Sequence, residues 1–335
     1  MDTRRSRRTL GALTTAVVSL AVGAGLLVAP ATATAAVGAP GLLRSARLHV
    51  DPQSQARQEM ARHRDDPAAL RALAKIAGQP QSVWFGDWVP TDRVRAQVAR
   101  TTTAAAQRRA VASIVLYAVP GRDCGSFSAG GLSGPRPYAA WVRQVAAGIG
   151  TRRTIVVLEP DGLAQLDCLS PALRAQRLAM LRDAVAALRR APGAVVYLDA
   201  GHARWHDVGT MAGRLRSAGV VGARGFALNV SNFGRTADEV RYGDRLAAAV
   251  GSGARYVVDT SRNGRGPASG DLSWCNPTGR GLGDRPTTRP GPARADAYLW
   301  IKTVGQSDGE CGRGEPRAGT WWPSYAISLA ARASW

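Results

Sequence analysis

Histidine, methionine, phenylalanine and cysteine each occur only four times in 335 residues. Four scattered histidines and no Cys-x-x-Cys pair leave no donor set at zinc-ligand spacing, so no metal is expected. No glycine-rich phosphate loop follows the early strand-like runs, and no serine stands in a nucleophile elbow. Nucleotide chemistry and serine-hydrolase chemistry therefore lack their motifs, and no cofactor is expected. Beyond residue 36 no stretch is apolar for long enough to span a bilayer. Acid is scarce as well: 24 Asp and Glu against 44 Lys and Arg give a net charge of +20. Yet no long basic run, repeat or low-complexity tract is present. The arginines fall on helix-like segments, as at Arg174, Arg177, Arg182, Arg189 and Arg190. That pattern is a solvated face, so no nucleic-acid partner is expected, while electrostatic association with an anionic cell envelope stays open.

What is present begins with an export signal. Arg4, Arg5, Arg7 and Arg8 precede an apolar, small-residue run from Leu10 to Ala29, and Ala29–Ala36 offers small-residue cleavage sites. Residues 1–36 read as a secretory signal peptide and the protein as secreted. The Ser6–Leu10 run resembles a twin-arginine signal, which leaves the export route open. Losing four arginines and Asp2 brings the charge from +20 to +17. In an exported chain the four cysteines, Cys124, Cys168, Cys275 and Cys311, imply two disulfides with three possible pairings.

Residues 37–80 read as a leader and a first helix, Arg57–Ile76, interrupted at Asp66-Pro67. Residues 81–335 read as the catalytic domain. Strand-like runs at Ser82–Phe85, Ser113–Tyr117, Thr154–Leu158, Ala194–Leu198, Gly225–Val230, Tyr256–Asp259 and Tyr298–Ile301 alternate with helical segments. The alternation predicts an α/β fold, a distorted (β/α) barrel of about seven parallel strands. In such barrels the site lies at the C-terminal ends of the strands. Read there, the chain offers Trp84 and Asp87; Tyr117, Arg122 and Asp123; Glu159 and Asp161; Asp199, His202 and Trp205; Asn229; Asp259 and Arg262; Lys302 and Asp308. Carboxylates beside tryptophans suit glycoside hydrolysis, in which one acid protonates the leaving oxygen and another group assists attack at the anomeric carbon. Blander roles compete at each position. Asp123 has the makings of a turn cap paired with Arg122, Asp161 of a helix N-cap, and Asp259 of a partner for Arg262. Asp199 and His202 have possible structural roles, and Trp205 and Trp274 possible places in the core.

Six motifs, in order, carry a family resemblance: YAVPGRDC, VLEPDGLAQL, VYLDAGHARW, FALNVSNF, WCNP and LWIKTVGQSDGEC. From about Ser82 to Leu329 the chain resembles glycoside hydrolase family 6, secreted β-1,4-glucanases that invert configuration. The resemblance implies Asp161 as general acid, Asp123 as the aspartate that keeps it protonated and organises the attacking water, and Asp308 as a candidate base. It implies Tyr117 beneath the cleavage-site sugar, and Trp84, Trp205 and Trp274 as stacking platforms. Asp199, His202, Asn229 and Lys302 match supporting or hydrogen-bonding positions. It further implies the pairing Cys124–Cys168 and Cys275–Cys311. Two departures stand out. Gln306 replaces a sugar-binding glutamate, and Ala118 and Gly121 replace residues that are acidic in some relatives. The short segments Cys311–Trp321 and Cys124–Tyr138 favour an open cleft and endo attack by a monomer on a β-1,4-glucan. A processive cellobiohydrolase, an inactive glucan-binding protein, and a basic protein of an anionic wall polymer or nucleic acid are the rivals.

Overall fold

The computed structural model describes residues 42–251 and 253–335; the expected signal peptide lies outside them. Seven strands are consecutive neighbours in one all-parallel sheet: β1 (Val83–Gly86), β2 (Ala112–Tyr117), β3 (Thr154–Leu158), β4 (Ala194–Asp199), β5 (Gly225–Leu228), β6 (Arg255–Asp259) and β7 (Ala295–Leu299). The sheet curls into a distorted barrel, as expected. β1 and β7 do not pair. The Ser82 N–H donates to the Trp300 carbonyl at 2.9 Å and the Trp84 indole N–H to the Ile301 carbonyl at 2.8 Å, which ties the two edges together.

The strands are apolar on both faces because both are covered. In β3, Ile155 and Val157 face the barrel interior with Val115, Tyr197, Val257 and Leu299. Val156 and Leu158 face outward into the larger core beneath the helices. Those helices are α3 (Thr91–Gln107), α4 (Pro135–Ile149), α5 (Pro171–Leu188), α6 (Val208–Ser217) and α7 (Thr236–Val250), which alternate with the strands. At the N-terminal mouth, Asp296 accepts from Tyr197 Oη and Arg224 Nε, each at 2.7 Å, and pairs with Arg255. This buried charge is compensated on all sides, as a buried carboxylate must be.

The expected first helix is two: α1 (Gln55–Met60) and α2 (Pro67–Ala77). Asp66 caps α2 by accepting from the N–H groups of Ala68 and Ala69, and Pro67 takes the first turn, where no N–H is needed. Both pack against α8 (Pro323–Ala331), which the sequence reading leaves unassigned. Leu43 enters the barrel core, so residues 42–80 are integral to the fold rather than an appended leader. The last strand begins three residues earlier than expected. Trp300 and Ile301 are apolar because they are buried in the turn that closes onto β1, not because they extend the strand.

Candidate active site

The loops after β2 and β3 are joined at four points. Cys124 and Cys168 form a disulfide with Cα atoms 6.3 Å apart. Gln165 Nε2 donates to Asp123 Oδ1 at 3.0 Å. Arg177, from α5, donates to the carbonyls of Pro120 and Gly121 on one loop and of Gly162 on the other. The buried Glu159 carboxylate accepts the N–H groups of Ala118 and Val119. Asp123, Cys124, Glu159 and Asp161 all have positive φ, between 48° and 66°. Such conformations cost free energy for non-glycine residues and persist where surrounding structure enforces them. Here the four ties supply the enforcement.

Asp161 faces the cleft. Its backbone N–H donates to Asp199 Oδ2 at 3.0 Å, while its carboxyl has no protein hydrogen-bond partner among the described residues. Burial pushes that carboxyl up to about 7; the Asp123 charge adds to this, with a further contribution from Asp308 and opposition from Lys302. No α-helix begins at Asp161, so the N-cap role falls away; a short 3-10 turn spans Ala164–Cys168 instead. Asp123 does not pair with Arg122. Its Oδ2 accepts the Ser128 N–H at 2.7 Å, and Arg122 pairs with Asp87 while lying over the Tyr117 ring at 4.6 Å.

Asp308 is buried and clamped. Arg262 donates to both of its oxygens at 2.8 Å, Lys302 Nζ lies at 3.2 Å, and the Asn276 N–H donates at 3.0 Å. Against the cost of burial, Arg262 and Lys302 hold its carboxyl below the ordinary aspartate range. The expected Asp259–Arg262 pair is therefore corrected. Asp259 instead accepts the N–H groups of Ser231, Ser261 and Lys302, leaving Arg262 for Asp308. A second disulfide, Cys275–Cys311, joins the loop of Trp274 to that of Asp308, again with Cα atoms 6.3 Å apart. Both pairings are those implied by the family resemblance.

A cavity of about 700 Å³ unites Asp123, Asp161, Asp308, His202, Trp205 and Trp274. A second, of about 750 Å³, runs from the same centre past Trp88 and Gln306 to Trp321. Trp84, Tyr117, Ser128 and Lys302 line both, so the two form one cleft with the aspartates at the middle. Trp84 and Tyr117 meet edge-on at 5.4 Å. Gln306 donates to Gln55 Oε1 at 2.8 Å, which brings α1 into the cleft wall. His202 lines the first cavity, and burial lowers its pKa to about 4, leaving it neutral near pH 7. Two expected contacts are not cleft-lining. Asn229 is fully buried, with its amide engaged by the backbone of Gly234 and Asp259. Asp199, 1% exposed, receives the N–H groups of Asp161 and Gly201 and so positions Asp161.

Several residues of the site escaped the sequence reading. Gln165 lacks a distinguishing composition, although it lies inside the VLEPDGLAQL motif; Arg177, expected on a solvated face, is instead buried between the two loops, and Glu159, expected at the rim, is a buried brace. Phe127 packs against Trp274 at 6.1 Å, and both are about 40% exposed, an apolar pair at the cleft edge. A lone phenylalanine in a polar loop was the available signal.

A parallel half-barrel with carboxylates gathered at its C-terminal rim, in a tryptophan-lined cleft, defines a glycoside hydrolase. The family model "Glycosyl hydrolases family 6" matches residues 43–333, and the chain belongs to that family. It is 45% identical over 289 residues to Endoglucanase A of Cellulomonas fimi, covering 86% of this chain and 62% of that protein. It is 42% identical to Endoglucanase 1 of Streptomyces halstedii, covering 84% and 88% of the two chains. Among solved structures it is similar to the endoglucanase Cel6 from Mycobacterium tuberculosis in complex with a thio-linked cellobioside, with a TM-score of 0.84 and 46% identity over 87% of this chain and 98% of that one. Relatives named cellobiohydrolase C stand at 30–32% identity.

Proposed function

We propose that this protein is a secreted endo-β-1,4-glucanase that cleaves internal bonds of cellulose or a related β-glucan with inversion of configuration. The observation that carries the reading is the Asp161 carboxyl, without a hydrogen-bond partner among the described residues, lining the cleft and pushed up to about 7. A carboxylic acid that stays protonated near neutral pH is what donation to a leaving sugar oxygen requires. Burial and the nearby Asp123 supply that condition.

Asp161 gives its proton to the glycosidic oxygen. Water attacks the anomeric carbon from the opposite face of the ring. Asp123 draws off its proton, since each of its oxygens, though accepting one hydrogen bond, keeps a second lone pair. Asp308, earlier a candidate base, fits that role less well. A carboxylate gripped by Arg262 and Lys302 is a weak base, but it is a fixed negative charge that orients Lys302 toward the substrate. Trp84, Trp205 and Trp274 offer ring faces to the apolar faces of sugars, with Tyr117 beneath the sugar at the cleavage point. His202, Lys302 and Gln306 offer polar atoms to hydroxyls. Asp199 and Asn229 support the loops. The endo mode is supported by the short loops after β2 and β7 and by the higher identity to endoglucanases than to cellobiohydrolases.

Hydrolysis of cello-oligosaccharides, with the anomer first formed read by NMR, tests activity, cleavage position and inversion together. Initial release of the α-anomer from internal bonds is expected. Near-normal turnover of carboxymethylcellulose by Asp161→Asn would overturn the acid assignment.

A further inference from the structure

The end of the barrel opposite the cleft has a charge pattern that the glucanase reading does not use. In a parallel sheet every helix-to-strand connection emerges at that end. These connections are residues 78–82, 108–111, 150–153, 189–193, 218–224 and 251–254, with 289–294 leading into β7. None contains an aspartate or glutamate. Arg108 and Arg109 follow α3, Arg153 follows α4, and Arg189 and Arg190 follow α5; all are exposed. Residues 44–47, also free of acid, lie alongside: the Val111 N–H donates to the Arg47 carbonyl at 2.7 Å, and Arg289 reaches Ser45 Oγ.

These guanidinium groups form one band. Strand register sets Ala112, Thr154 and Ala194 side by side, so the loops before them span two strand spacings, about 10 Å. That is near the Debye length of about 8 Å at physiological salt, so their potentials add. His49 lies beside the band: burial lowers its pKa first, the Arg108 and Arg47 charges lower it further, and Asp51 opposes them. Among the described residues none of the arginines at 44, 47, 108, 109, 153, 189 and 190 makes an ion pair. Asp296 at this mouth is buried and already paired, and Asp51 lies near enough to act on His49, but the connecting loops themselves carry no acid.

We propose that this band is a docking surface for a flexible phosphodiester polymer of a cell envelope. Guanidinium groups grip phosphate through paired N–H donors. The connecting loops carry no aromatic side chain, so they lack the stacking platforms that single-stranded nucleic acid uses. Val221 is the one large exposed apolar residue among them, too little to anchor in a membrane. Docking by this end leaves the cleft on the far side facing outward to glucan. The surface itself stands on the geometry; its placement in an envelope rests on the export reading.

The test uses labelled poly(glycerol phosphate), titrated with the enzyme over a salt series. Replacing Arg108, Arg109, Arg189 and Arg190 by serine should weaken binding at least tenfold at low salt. It should also flatten the slope of log affinity against log salt by about 3, at about 0.7 per lost contact. A comparison variant with Arg71, Arg93, Arg143 and Arg245 on the outer helices replaced by serine loses equal charge and should bind within twofold of the parent. Both should hydrolyse carboxymethylcellulose at the parental rate, which also reports folding. Equal losses in the two variants would reduce the effect to diffuse charge and overturn the proposal. So would failure of the parent to bind the polymer, or tighter binding to phosphatidylglycerol vesicles or single-stranded DNA.

Discussion

Replacing Asp161 by asparagine should abolish hydrolysis and, at the same time, stabilise the protein at alkaline pH. Asparagine has nearly the same shape but no proton to lose. In the folded chain the Asp161 carboxyl is raised from 3.8 to about 7, by burial first and by the Asp123 charge second. Below pH 3.8 the group is neutral in both folded and unfolded chains, so parent and variant should be equally stable. As pH rises past 3.8 the unfolded carboxyl ionises while the folded one stays protonated, and the parent loses stability. The loss continues until the folded group ionises near 7 and is constant above that. A shift of about three pH units at about 1.4 kcal/mol each gives a difference of about 4 kcal/mol at pH 8, an upper bound because the site can relax. Urea unfolding of both proteins at a series of pH values from 4 to 8 measures it. A gain of stability in the variant that grows with pH is the expected result. A pH-independent difference, or a variant less stable than the parent at pH 8, would refute the reading of Asp161 as a buried acid held protonated by its surroundings.

Three further outcomes follow from the same geometry. The alkaline limb of the glucanase pH–rate profile should fall as pH rises through about 7, where Asp161 loses its proton, and in Asp123→Asn the limb of the residual activity should move to lower pH. Arg262→Met leaves the buried Asp308 with Lys302 as its only cation, so stability at pH 7 by urea denaturation should drop by about 3–5 kcal/mol. Removing the Cys124–Cys168 bridge by double serine substitution opens a loop of sequence separation 44 and should cost about 4 kcal/mol in a denaturation curve. Activity at room temperature should stay within a few-fold, because Gln165, Arg177 and Glu159 still hold the two loops.

The sequence by itself determined the fold class, the order of the strands and the identity of the rim residues. Runs such as Ile155–Leu158 and Ala194–Leu198, with no charged residue and side chains buried on both faces, fit strands covered on both sides, and their alternation with helices leaves a parallel sheet. Local chemistry also marks the break at Asp66-Pro67. Only the tertiary structure decided which charges meet. Asp259 and Arg262 are neighbours in sequence, yet Arg262 reaches 46 residues onward to Asp308, because the backbone amides after β5, β6 and β7 converge on Asp259 first. Asn229 looked like a sugar contact and is a buried loop brace; Asp199 looked like either and positions Asp161. The same holds for α8, whose residues are apolar on nearly every side and carry no periodic mark until α1 and α2 cover them. Residue types and spacings are local properties, whereas pairing, burial and the resulting proton affinities depend on groups brought together from distant parts of the chain.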